Sequence, residues 1–207
     1  MKILVIGATG LTGTHLLKHL LEGGHEVTAF VRDPAKIALQ HARLKIAQGE
    51  ARDLASLETA IKGQDAVMSA LGPRSLKQDD LQEIYMHNLV TAMIRTGVKR
   101  LINLSAMGAG DSRPGAPLIM RLVILPLFLG KMFADKDKGE VHLFGSSLEY
   151  TNVRPGRLTN GPARGGVKAS LSYKDLKPLM SREDLAVFMI AQLGSAEWVR
   201  KSPLIGY

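Results

Sequence analysis

The chain begins with a short apolar run, Ile3 to Ile6, that passes directly into Gly7-Ala8-Thr9-Gly10-Leu11-Thr12-Gly13. No other stretch restricts the fold as strongly. An apolar run without alternation belongs to a strand covered on both faces. The glycines that follow, at spacing G-x-x-G-x-x-G, each have a use. Gly7 permits the tight turn, Gly10 lets the backbone approach a pyrophosphate with no Cβ in the way, and Gly13 lets the next helix pack close to the strand. That helix is expected to start near Leu11 or Thr12. Its unpaired N–H groups and positive dipole end then face the phosphates, with the Thr9 and Thr12 hydroxyls beside them. The expectation is a strand–turn–helix that holds a dinucleotide.

The rest of the chain repeats the alternation. Leu16, Leu17, Leu20 and Leu21 mark a helix over residues 12–22, which Gly23-Gly24 end. Strands are expected at 26–31, 44–47, 66–70, 100–104 and 150–153, and helices at 54–61, 79–96 and 134–146. Ser181-Arg182-Glu183-Asp184 caps a last helix running to Leu193. Short apolar strands separated by helices imply an α/β fold with a doubly wound parallel sheet of the Rossmann kind. At 207 residues the chain is read as one domain with a small substrate-side segment. That segment is the apolar insert at 117–133, beginning Pro117-Leu118-Ile119-Met120. It is too short to span a membrane, and Arg121 interrupts it. Its alternatives are a buried helix, a cover over the substrate pocket, a surface on which two copies pair as a homodimer, or association with a membrane surface.

The chain has no cysteine, which removes disulfides, thiolate metal sites and a cysteine nucleophile. With a core strand at its start and no targeting segment in view, a cytoplasmic location is expected. The net charge is +8. Its lysines and arginines are scattered, with no basic run and no aromatic-basic alternation, so the expected partner is a small phosphate-bearing molecule and not nucleic acid.

The end of the second strand bears on which dinucleotide binds. An acid there would bind the ribose hydroxyls of NAD. Here the first polar residue is Arg32, with Lys36 close behind. A guanidinium at this point suits a 2′-phosphate, which favours NADP(H); the alternative is a solvated surface arginine. Asp33 is one residue late and is expected to cap the turn before Pro34.

Together with Val31-Arg32-Asp33, Gly63-Gln64-Asp65-Ala66-Val67, Leu71-Gly72-Pro73-Arg74, Asn88, Gly97-Val98-Lys99-Arg100, Leu104-Ser105-Ala106 and Tyr150-Thr151-Asn152-Val153-Arg154-Pro155-Gly156, the glycine turn resembles the atypical short-chain dehydrogenase/reductase superfamily. Within it, the chain is similar to the small NAD(P)H-binding proteins related to biliverdin-IXβ reductase/flavin reductase. The resemblance covers nearly the whole chain. It implies that Glu50 and Ala51 meet the adenine, although Asp is usual where Glu50 stands. It implies that Leu71 and Gly72 pass under the riboses, that Ser105 lies beside the nicotinamide, and that Pro155 and Gly156 flank its amide. It also puts Arg157 where relatives have a pocket histidine. Asn88 is expected to make a structural hydrogen bond from mid-helix.

Many short-chain dehydrogenases move a proton with a Tyr-x-x-x-Lys pair. None of Tyr85, Tyr150, Tyr173 and Tyr207 has a lysine four residues on. Hydride transfer from NADPH to a flat conjugated acceptor such as a flavin, a bilin or a quinone needs no strong general acid from the protein. The expected function is therefore such a reductase, with Ser105 as the catalytic candidate and Arg74 and Arg157 as groups for an anionic substrate. Ser105 can also be a strand-end serine, and Arg157 a surface arginine. The alternative function is a non-catalytic NADP(H)-binding sensor, as among the related NmrA-like proteins; a sugar-nucleotide epimerase is disfavoured. His15 and His19 stand at a metal-capable i, i+4 spacing, but no third ligand is evident and no metal is expected.

Overall fold

The computed structural model describes residues 1–72, 80–116, 118–174 and 176–207. It opens with β1 (Lys2–Ile6), α1 (Leu11–Glu22), β2 (Glu26–Val31), β3 (Leu44–Gln48) and α2 (Leu54–Ile61). β4 (Ala66–Ser69), α3 (Leu81–Thr96), β5 (Arg100–Leu104) and α4 (Gly130–Phe144) follow. The chain ends through β6 (Glu149–Pro155), β7 (Arg157–Thr159), β8 (Lys168–Ser170), β9 (Leu179–Ser181), α5 (Arg182–Ala191) and β10 (Leu204–Gly206).

Eight strands form one sheet in the order β3-β2-β1-β4-β5-β6-β10-β8, parallel except where β8 meets β10. β7 and β9 form a separate parallel pair. The doubly wound α/β expectation holds. Ile3, Leu4, Val5 and Ile6 are buried, as a strand covered on both faces requires. On one face Leu16, Leu17 and Leu20 of α1 pack with Leu185 and Met189 of α5. On the other, Leu57 of α2, Leu89 and Met93 of α3 and Leu143 of α4 close a second core. Strand order reverses between β1 and β4, and such a switch point opens a crevice beyond the strands' carboxyl ends.

The terminal signals read from the sequence act as expected. Ser181 Oγ accepts the Asp184 N–H and caps α5. Asp33 accepts the Ala35 N–H at 3.1 Å. Asn88 donates to the Arg52 carbonyl at 2.8 Å, tying α3 to the loop after β3.

Several expectations change. The strands β7 to β10 escaped the sequence reading because three-residue strands carry no period that can be counted. α4 starts at Gly130, earlier than expected, and a wide helical stretch of π type, Met120–Leu129, leads into it. Leu118, Ile119, Leu122 and Leu127 of the apolar segment are each more than 60% exposed, so these four side chains are not in a buried core. Among the described residues no helix is long and apolar enough to cross a membrane.

Candidate functional site

The glycine turn is built as its spacing demanded. Gly7 has φ +79°, and a Cβ there would lie 2.6 Å from the Ala70 carbonyl oxygen. A Cβ on Gly13 would lie 2.1 Å from the Gly7 oxygen. Only glycine allows α1, β1 and the end of β4 to meet this closely. Gly10 is the N-cap of α1, with no side-chain cap and no acid in the first turn. The first N–H groups of that helix therefore lack the side-chain acceptor that usually meets them, which suits an incoming anion.

Beside this turn lies a cavity of about 290 Å³. Gly7, Thr9 and Gly10 line it from the turn, and Arg32 from the end of β2. Glu50 and Ala51 reach it after β3, and Leu71 and Gly72 after β4. These are the groups assigned to the cofactor from sequence, brought together from four separate loops. Arg32 is half exposed at the rim, its Nε 4.0 Å from Glu50 Oε2. Leu11, Thr12, Gly13 and Lys36 do not line the cavity. Leu11 and Lys36 are exposed, Thr12 is buried, and Gly13 acts through close packing. Phe30 also lines it, a floor that its place within an apolar strand concealed. An anion-ready helix end, a cradle that any Cβ would fill and a cationic rim together fit a dinucleotide.

A second cavity, of about 530 Å³, opens further along the carboxyl ends of the sheet. Its wall is apolar: Ala106 and Met107 after β5, Leu129 just before α4, Met132 and Phe133 in the first turn of α4, Pro155 at the end of β6 and Gly156 after it. Ile119 covers it from the apolar segment. Among the described residues Arg157 is the one charged group in the lining. Tyr173 lines it too, and its hydroxyl is sealed from solvent without a hydrogen-bond partner. Tyr173 lies in an irregular stretch, and no spacing in the sequence marked it. Arg74 lies outside the described residues.

Ser105 lines neither cavity. It is buried, and its hydroxyl donates to Glu140 Oε1 at 2.6 Å. The same carboxylate accepts from Asn152 at 2.8 Å and from Arg154 Nη2 at 2.6 Å. Arg154 also pairs with Asp111 at 2.6 Å. Burial opposes the Arg154 charge, but Glu140 and Asp111 outweigh it and push its pKa up. Ser105 thus belongs to a polar network that runs through Glu140 and Arg154 to the exposed Asp111.

Lys136, one turn before Glu140, is buried, and burial pulls its pKa down against the acids Glu140, Asp135 and Asp137. Met132 stands four residues before it, in the wall of the apolar cavity.

The first helix also changes. Glu183 comes from α5 to lie 3.4 Å from His19 Nε2, so the pair His15 and His19 has a third potential ligand after all. α1 and α5 are far apart in sequence and meet only through packing.

Comparison with known proteins bears on the family and the fold. The family model described as NAD(P)H-binding matches residues 7–196. The chain is 32% identical over 206 residues to a protein of Bacillus subtilis named uncharacterized sugar epimerase YhfK, covering 93% of this chain and 88% of that one. Among solved structures it is similar to ChuY, an anaerobilin reductase of Escherichia coli O157:H7. The TM-score is 0.83 at 19% identity, over 100% of this chain and 97% of that one. It is also similar to a short-chain dehydrogenase/reductase of Veillonella parvula in complex with NADP. There the TM-score is 0.82 at 21% identity, over 100% and 94% of the two chains. At such identities these structures speak for the fold.

Proposed function

This chain belongs to the NAD(P)H-binding family, and from that premise we propose that it is an NADPH-dependent reductase of a flat, conjugated, largely apolar acceptor. The observation that carries this reading is the apolar cavity next to the dinucleotide crevice, with Arg157 in its wall. A sugar nucleotide would need several polar partners for its hydroxyls, and this lining offers few. An extended ring system with an acidic substituent would bury its faces against Met107, Met132 and Phe133 and set its charge at Arg157.

Gly7, Thr9 and Gly10 would receive the pyrophosphate at the start of α1, and Arg32 the 2′-phosphate. Glu50 and Ala51 would meet the adenine, and Leu71 and Gly72 the riboses. NADPH supplies the hydride. The protein holds donor and acceptor face to face. Without the tyrosine of the usual pair, the proton comes from solvent or from the Tyr173 hydroxyl. Ser105 acts by fixing the end of β5 through Glu140. The exposed leucines of the apolar segment supply a surface on which two copies pair.

The test is anaerobic stopped-flow loss of NADPH absorbance against FMN, a biliverdin and a quinone. Saturable, acceptor-dependent oxidation that Arg157→Ala weakens through acceptor KM supports the reductase. Tight NADPH binding with no oxidation across the panel overturns it in favour of a non-catalytic sensor.

A further inference from the structure

The geometry points to a divalent transition-metal site, for Zn²⁺ or Co²⁺, held by His15, His19 and Glu183 where α1 packs on α5. His15 and His19 are one turn apart on α1, and Glu183 lies in the first turn of α5. One ligand atom from each lies within 4.8 Å of the other two.

Three details separate this cluster from a chance surface grouping. His19 Nε2 and Glu183 Oε1 are 3.4 Å apart. Zinc bonds of about 2.0–2.2 Å to nitrogen and oxygen place two tetrahedral ligands roughly 3.4 Å from each other. His19 Nε2 is sealed from solvent and, although Glu183 lies near it, makes no hydrogen bond. The other ring nitrogen, Nδ1, lies 3.3 Å from Glu22 Oε2. A carboxylate at Nδ1 orients a metal-binding imidazole and leaves Nε2 free to ligate. The second oxygen of Glu183 accepts the Ala163 N–H at 3.4 Å, which helps to turn Oε1 toward the histidines.

Two imidazoles and one carboxylate suit zinc and cobalt better than calcium or magnesium, which prefer oxygen. Water supplies the fourth position. Lys18 Nζ, 3.9 Å from Glu183 Oε1, is the group the ion displaces, and its side chain is more than half exposed and can swing away. None of the three ligands lines the dinucleotide crevice. The ion acts as a clasp between α5 and the helix whose first turn faces the pyrophosphate.

The experiment is titration of chelator-treated protein with Co²⁺, read by visible absorption, and with Zn²⁺, read by calorimetry. One ion per chain is expected, with the absorption of a four- or five-coordinate cobalt. His19→Ala and Glu183→Gln should each weaken binding at least tenfold. These side chains are partly exposed, and circular dichroism verifies that the variants fold. At a hundredfold excess over Kd, zinc should raise the melting midpoint of the wild type by about 5–10 °C, and of the variants much less. His87 and His142, whose rings are 5.0 Å apart, are the competing site. Absence of saturable binding, binding that survives in His19→Ala, or binding that His87→Ala removes overturns the assignment.

Discussion

The Ser105 hydroxyl donates to Glu140 Oε1 at 2.6 Å, and the carboxylate that receives it is already paired with the buried Arg154. The serine that the resemblance sets beside the nicotinamide also ties the end of β5 to α4. A hydrogen bond given to the reacting group would make Ser105→Ala lose about 10²–10³ in kcat. The expected result is instead a loss under about tenfold in kcat and about 1 kcal/mol in stability. Steady-state kinetics and urea unfolding on the same variant decide between them.

Removing the acceptor is a harsher change. Glu140→Ala strips Arg154 of its buried partner and leaves only Asp111, which is largely exposed. Breaking one side of a buried ion pair costs about 3–5 kcal/mol, and that loss should appear in urea unfolding.

Arg32 is solvated enough to be removed without harm to the fold. If it meets a 2′-phosphate, Arg32→Ala should weaken NADPH binding roughly ten- to hundredfold, the worth of one charge-assisted contact. NADH binding should barely change. Fluorescence titration with both cofactors checks this, and equal loss for the two would remove the assignment.

Gly13→Ala would press a Cβ to 2.1 Å from the Gly7 oxygen, against backbone that cannot move aside. Overpacking of this kind costs about 1–3 kcal/mol or more, and the displaced turn should lose NADPH binding as well. Among the described residues a Cβ on Gly72 meets nothing within 4 Å, and Gly72→Ala should melt as the wild type does. Thermal unfolding compares the two directly.

Asp184 gives the pH dependence a sign. Burial works to raise its pKa, but hydrogen bonds from the Arg164 and Gly165 N–H groups, Tyr207 and Ser181 outweigh it and hold it below the usual carboxylate value. A depressed carboxylate contributes stability above its unfolded pKa, and that stability is lost as pH falls through the folded one. Asp184→Asn should therefore be less stable than wild type at pH 7, by about 1.5–3 kcal/mol. The gap should narrow below about pH 4, where the unfolded carboxylate protonates. Denaturant unfolding at pH 7 and pH 3 measures it.

What the sequence determined by itself was local. Strand β1, the glycine turn and α1 are adjacent in the chain, and their chemistry is backbone chemistry: absent Cβ atoms and free N–H groups. Asp33 before its turn and Ser181 at the start of α5 were legible for the same reason, since each acts within a few residues. What only the tertiary structure decided involves partners distant in the chain. α3 has no side-chain cap of its own from Asp80, yet Asp135 of α4 accepts the N–H groups of Gln82 and Glu83 at 2.9 and 3.1 Å. Glu183 reaches His19 across more than 160 residues. Tyr173 and Met132 share one cavity wall although no period relates them. The Ser105 hydroxyl donates to Glu140, 35 residues further on, and no residue near it in the chain records that partner.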